Sequence, residues 1–238
     1  TFIQGNNIIY ISGNSQWAGG TFSGGAANFT NTGTFNLSGT SFTSPSASLV
    51  VSGTFSYTGG SFIHNNGTIR LSTNSFSVIG SPQFYNLGLI PYYNTITCNS
   101  SFTVSNNLML DATGAWVNFN IASGQSVTAN GSLTLSGDNA LSINTGTLVA
   151  NGDIVITNSS SNSGGSATVR IAGSGNQSLT GQGTFGVGSL PNVIVSKPSG
   201  TLSLLSYITV KRPLWNLASG ASSPRTSTVC VYNTGTVF

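Results

Sequence analysis

The chain is 238 residues long and 38% apolar, yet only 4% of it is charged and it contains no glutamate. The apolar share suffices for a core and excludes a disordered chain, while the wealth of Asn, Ser, Thr and Gly favours turns, strands and side-chain ladders over helix interiors. The net charge of +3 comes from six scattered basic residues set against three aspartates; with only Lys211 and Arg212 adjacent there is no patch to neutralise nucleic-acid phosphates, and no apolar run nears the roughly 18 residues that insert in a membrane.

Strand signals start at Ile8-Ile9-Tyr10-Ile11 and recur at Phe102-Thr103-Val104, Leu133-Thr134-Leu135, Ile154-Val155-Ile156 and Val193-Ile194-Val195. Gly, Asn and Ser separate them every few residues, and no window carries the helical apolar period, so the chain reads as all-β with many short strands. Internal repeats are also visible. Gly33-Thr34-Phe35-Asn36-Leu37-Ser38 recurs 34 residues later as Gly67-Thr68-Ile69-Arg70-Leu71-Ser72, and Ser41-Phe42 as Ser75-Phe76. Val127 to Leu135 aligns on Leu148 to Ile156 at an offset of 21, and Phe102 to Leu110 fits the same frame 25 residues earlier. Periods of this length suit the coils of a solenoid.

A longer repeat overlies these. Phe102-Thr103-Val104 with Leu108 matches Ile208-Thr209-Val210 with Leu214, and Asn86-Leu87-Gly88-Leu89 matches Asn192-Val193-Ile194-Val195, all at an offset of 106. Thr68-Ile69-Arg70-Leu71 matches Thr168-Val169-Arg170-Ile171 at an offset of 100. This divides the chain into a first module, 1–120, and a second, 121–238, continuous with it. Tandem β-sandwich domains of about 100 residues are the alternative, and Asn-Gly pairs are hairpin signals. The phase favours a parallel β-solenoid. A two-residue hairpin at Asn130-Gly131 would mix apolar and polar residues on both faces, whereas an outward corner there lets Val127, Ala129, Leu133 and Leu135 all point inward.

The stretch Asn66-Gly67-Thr68 through Phe84-Tyr85-Asn86-Leu87 to Leu108-Met109-Leu110 carries a resemblance. So does Gly175-Asn176-Gln177-Ser178-Leu179-Thr180-Gly181 leading to Leu190-Pro191-Asn192-Val193-Ile194-Val195. Both resemble the long β-helical repeats of giant surface and adhesin-like proteins of gliding, type-nine-secreting bacteria, over roughly residues 66–114 and 166–220. The resemblance implies an extracellular or cell-surface β-helix. The sequence departs from it at Lys211-Arg212-Pro213, where the family has a small turn.

Residues able to carry chemistry are few. Asp111, Asp138 and Asp153 lie singly beside turn residues, without the paired carboxylates of glycoside hydrolysis, and read as solvated turn aspartates. His64 is the sole histidine and reads as an exposed turn residue before Asn66-Gly67; a metal site would need three or four ligands. Trp17, Trp116, Trp215 and Tyr92-Tyr93 could form a platform for sugar rings, with core or corner packing the stronger reading for the tryptophans. Cys98 and Cys230 lie 132 residues apart, about six coils of a solenoid, too far for an internal disulfide. No catalytic, metal or cofactor site is expected.

The expectation is therefore a structural protein and not an enzyme: a rigid surface stalk, sheath or fibre that associates with itself through strand edges or continues into a longer chain. A carbohydrate-binding adhesin is the alternative, ahead of a polysaccharide-degrading β-helix enzyme or phage tailspike.

Overall fold

The computed structural model describes residues 1–72, 76–90, 94–212, 214–224 and 229–231, with the side chains of Asn94 and residues 220–231 left aside. Among the described residues every strand pairing is parallel and no helix occurs, and the chain winds as a β-solenoid of about ten turns. Parallel pairing throughout excludes hairpins, and with them the tandem sandwich, because sandwiches are antiparallel.

Each turn lays down three short strands, one on each of three faces. In the second turn these are Thr21–Ser23, Phe29–Asn31 and the start of Phe35–Thr43. We call the faces X, Y and Z in that order. The inward residues of face Y stack in one row from Ile9 through Phe29, Leu49, Ile69, Leu87, Leu108, Leu133, Ile154 and Leu179 to Leu204. Face X stacks Phe2, Phe22, Phe42 and Phe62, and face Z stacks Phe35, Phe55 and Phe76. With strands alternating inward and outward, each coil buries its apolar residues only against the coils above and below.

Whole-turn repeats and face-to-face repeats are distinct. The 21-residue and 25-residue offsets are whole turns: Val127 pairs with Leu148, Leu133 with Ile154, and Phe102 with Val127. Val127, Ala129, Leu133 and Leu135 are all buried and Asn130 is an exposed corner, as the phase requires. The 34-residue offset is a different thing. Phe35 pairs with Phe55, and Ile69 with Leu49, so the alignment of Phe35 on Ile69 joins face Z to face Y, one and two-thirds turns on. The whole-turn period there is 20 residues, visible as Gly33-Thr34-Phe35 above Gly53-Thr54-Phe55.

The 106-residue repeat is also a third of a turn out of step. Asn86 pairs with Thr68 and Asn192 with Thr168 in the same register, but the first pair lies on face Y and the second on face X. The alignment of Leu108 on Leu214 slips by one residue. Leu87 pairs with Leu108, but its counterpart Val193 pairs with Trp215, because the chain around Lys211 and Arg212 is one residue longer. Residue 120 falls inside the continuous strand Val117–Ala129, so the ladder runs unbroken between the modules.

Corners are tied along the rod axis by amide and carboxylate groups. At the corner between faces X and Y, Asn86 Oδ1 accepts from Asn106 Nδ2 and the Asn107 N–H, and Asn107 Oδ1 accepts from the Ser132 N–H. Asn151 donates to Asn130, Asp153 accepts from the Ser178 N–H, and Asn176 from the Thr201 N–H. The Asn-rich, acid-poor composition has this use: the rungs that reach Asn107, Ser132, Ser178 and Thr201 each satisfy a corner backbone N–H, and the others link amide to amide.

Candidate functional site

The residues with the chemistry are spread over different corners. Asp111 turns its carboxylate back on Thr113, accepting from its N–H at 2.9 Å and its hydroxyl at 2.6 Å. Asp138, one turn further along the same corner, accepts from the Gly114 N–H at 3.0 Å and from Asn139. The Gly114 N–H, the Asp138 backbone N–H and the Asn139 amide hold the Asp138 carboxyl below its ordinary value. Asp153 belongs to another corner. All three serve the turns. His64 is half-buried rather than exposed; its Nδ1 accepts from the Asn66 N–H, and its ring leans on Tyr85 at 5.3 Å. That bond holds a turn in which Asn65 and Asn66 both adopt positive φ. Among the described residues no group of three His, Cys, Asp or Glu side chains comes together.

The tryptophans do not share a surface. Trp17 packs into the phenylalanine stack, 5.0 Å from Phe22 and 5.8 Å from Phe42, and Trp215 is buried. Trp116 is exposed just before the strand Val117–Ala129, which leaves it the corner reading and not the core one. Tyr92-Tyr93 lies outside the described residues. Lys211 and Arg212 donate to the carbonyls of Ser161 and Gly165 and hold the preceding loop.

Cys98 is fully buried on face Z, and desolvation pushes its thiol well above the ordinary cysteine range. Cys230 sits on the same face six turns away, paired with Thr209. At about 4.8 Å per turn that is about 29 Å, which rules out an internal bridge. Cys98 is therefore expected to resist a thiol reagent in the native state and to react at once in denaturant. Native labelling at this residue, located by peptide mapping, would show that the core opens.

One concavity on the flank combines polar and apolar groups. A cleft of about 300 Å³ on face Y is lined by Thr68, Arg70, Asn86, Gly88, Asn107 and Met109. The register makes it a grid. Gly88 lies between Arg70 on the turn before and Met109 on the turn after, flanked on one side by Thr68, Asn86 and Asn107. A second, of about 470 Å³, lies between the Asn130–Asn151 rung and the loop of residues 172–175.

No protein-family model matches the chain, and comparison with curated proteins and with solved structures finds no match.

Two residues that periodicity should have exposed are Gln177 and Lys197. Lys197 follows Val193 and Val195 in the inward phase, and Gln177 precedes Leu179 in it. Both are buried. Gln177 donates to the carbonyls of Ala150 and Gly152 on the turn below, and its Oε1 accepts from Lys197 at 2.5 Å. Lys197 also donates to the carbonyls of Gly173 and Gly175 at 2.7 and 2.9 Å. Its three N–H donors thus meet three oxygens inside a corner widened by the loop of residues 172–176, while burial pushes its pKa down. Gly173 has to be glycine here, since a Cβ would lie 2.0 Å from the Asn151 carbonyl and 2.7 Å from Gln177 Cδ.

Proposed function

We propose that this chain is a length of extracellular structural rod whose activity is end-to-end stacking, as a surface stalk, sheath or fibre. The observation that carries this reading is the first turn. Its three strands, Phe2–Ile3, Ile9–Ile11 and Ser15–Trp17, each pair on one side only. Phe2 is 49%, Ile3 72%, Ile8 73% and Tyr10 66% exposed. Strands paired on one side only, with apolar side chains exposed beside them, offer both unpaired backbone and apolar surface to a further coil, whether of the same polypeptide or of a second copy. The nearly uncharged Asn/Ser/Thr skin and the resemblance to bacterial surface repeats support an extracellular setting.

The test uses light scattering across concentration. The Ile9 N–H donates to Asn28 and the Ile11 carbonyl accepts from Thr32, so alternation turns the N–H and carbonyl of Tyr10 toward the open end. Tyr10→Pro therefore removes an edge donor without breaking an internal bond, and Ile3→Lys adds charge to the same end. The wild-type mass should rise with concentration, and the double variant should stay monomeric. A wild-type chain that is monomeric throughout, or a variant that assembles equally well, overturns the reading.

A further inference from the structure

The cleft on face Y has chemistry that neither the rod nor its stacking requires. Its floor is Gly88, whose φ is not positive and whose added Cβ would meet nothing nearer than Met109 Cε at 3.6 Å. Neither backbone conformation nor crowding demands glycine there. The missing side chain leaves a dip between the rows of Arg70 and Met109, whose backbones stand about two strand spacings or roughly 9.6 Å apart, with Gly88 buried beneath the Met109 methyl.

The second module supplies the internal comparison. Thr168, Arg170, Asn192 and Ile194 occupy the same register on face X as Thr68, Arg70, Asn86 and Gly88 on face Y. There the floor is filled by Ile194, and Arg170 is engaged by Ser196, its Nε donating to Oγ at 3.0 Å. In the first module the residue matching Ser196 is Ile90, which offers Arg70 no side-chain acceptor. Arg70 is exposed and has no side-chain partner among the described residues.

The groups left over in the slot are donors. Asn86 is spent, its Nδ2 on Thr68 Oγ1 and its Oδ1 on Asn106 and Asn107. Asn107 has its Oδ1 on the Ser132 N–H, which leaves its amide N–H groups unused. With the guanidinium of Arg70 and the hydroxyl hydrogen of Thr68, the polar side presents N–H and O–H groups, and Met109 closes the other wall with an apolar thioether. The nearest carboxylate along the same strand, Asp111, is turned onto Thr113. Such a site suits a flat, acceptor-rich group with one negative charge and rejects a cation. Arginine's planar fork matches a carboxylate.

We propose that this slot binds one carboxylated sugar residue of an acidic polysaccharide, the ring lying over Gly88 against Met109 and the carboxylate on Arg70. The proposal needs the solenoid but not its end-to-end assembly, so the two can fail separately. The test is titration of the full chain with trigalacturonate, its methyl ester and neutral maltotriose, followed by calorimetry or amide chemical shifts. Gly88→Ile rebuilds the floor that Ile194 already provides in the same register, so this variant should fold, which its melting midpoint checks. Wild type should bind trigalacturonate, with shifts at Gly88 and Asn107, and bind the ester and maltotriose at least tenfold more weakly. Gly88→Ile should abolish binding and Arg70→Gln weaken it at least tenfold. Absence of trigalacturonate binding, equal binding of the ester, or binding unchanged in a folded Gly88→Ile chain overturns the proposal.

Discussion

Lys197→Ala should lower the unfolding free energy by roughly 3–5 kcal/mol, a large fraction of what holds a domain of this size. The substitution removes a side chain that is 1% exposed and strips the donor from three oxygens at once: Gly173 O, Gly175 O and Gln177 Oε1. Each unsatisfied buried acceptor costs about 1–3 kcal/mol, and water entering the vacated corner recovers part of that. Lys197→Met separates packing from hydrogen bonding, since it fills most of the volume and donates nothing. It should cost nearly as much as alanine. Urea unfolding of the three proteins, with the slopes compared, measures this; a methionine variant as stable as wild type would show that only the aliphatic stem matters.

The same corner explains what could and could not be read from the sequence. The inward positions of Val127, Ala129, Leu133 and Leu135 were legible because a period of two and an Asn-Gly break give only one self-consistent phase for a stacked coil. Applied one step further along Val193-Ile194-Val195, that phase places Lys197 inside. A lone lysine was read by its charge, and what neutralises its cost is backbone carbonyl from a loop two dozen residues away, which no local pattern announces. Gln177 is similar: it sits within the motif that carries the resemblance, yet its partners are carbonyls of the coil below.

The repeats show a second limit. The 34-residue and 106-residue offsets are real likenesses, but they relate strands on neighbouring faces, because all three faces are built from the same Gly-Thr-apolar-x-apolar unit. In a three-faced rod, self-similarity at thirds of a turn competes with self-similarity at whole turns. Only the pairing register separates Phe35 above Phe55 from Phe35 against Ile69. The slot at Gly88 was hidden for a related reason. Gly88 and Ile194 are the same strand position of one repeat, but only the register shows that the glycine lies between two long side chains, Arg70 and Met109.

The other large effect is expected in the aromatic stack of the first turns, where Phe42→Ala should cost about 3–5 kcal/mol. Phe42 is fully buried and stacks on Phe22 with centroids 4.6 Å apart and planes 8° from parallel. It lies on Phe62 at 5.8 Å on the other side, and meets Trp17 and Phe35 edge-on. In a globular core, neighbours from several directions can relax into a vacated space. Here the backbone above and below is pinned at the fixed coil spacing by the parallel pairings of Phe42 with Phe22 and Phe62, so the stack cannot close and the cavity term should apply nearly in full. The loss should also be local, since each coil contacts only its neighbours and stability spreads along the rod as a sum of coil and interface contributions. Hydrogen exchange of the Phe42→Ala chain should show protection falling in the turns that contain Phe22, Phe42 and Phe62 while the strand Val117–Ala129 keeps its own. Protection falling equally along the chain would mean that the solenoid unfolds as one cooperative unit.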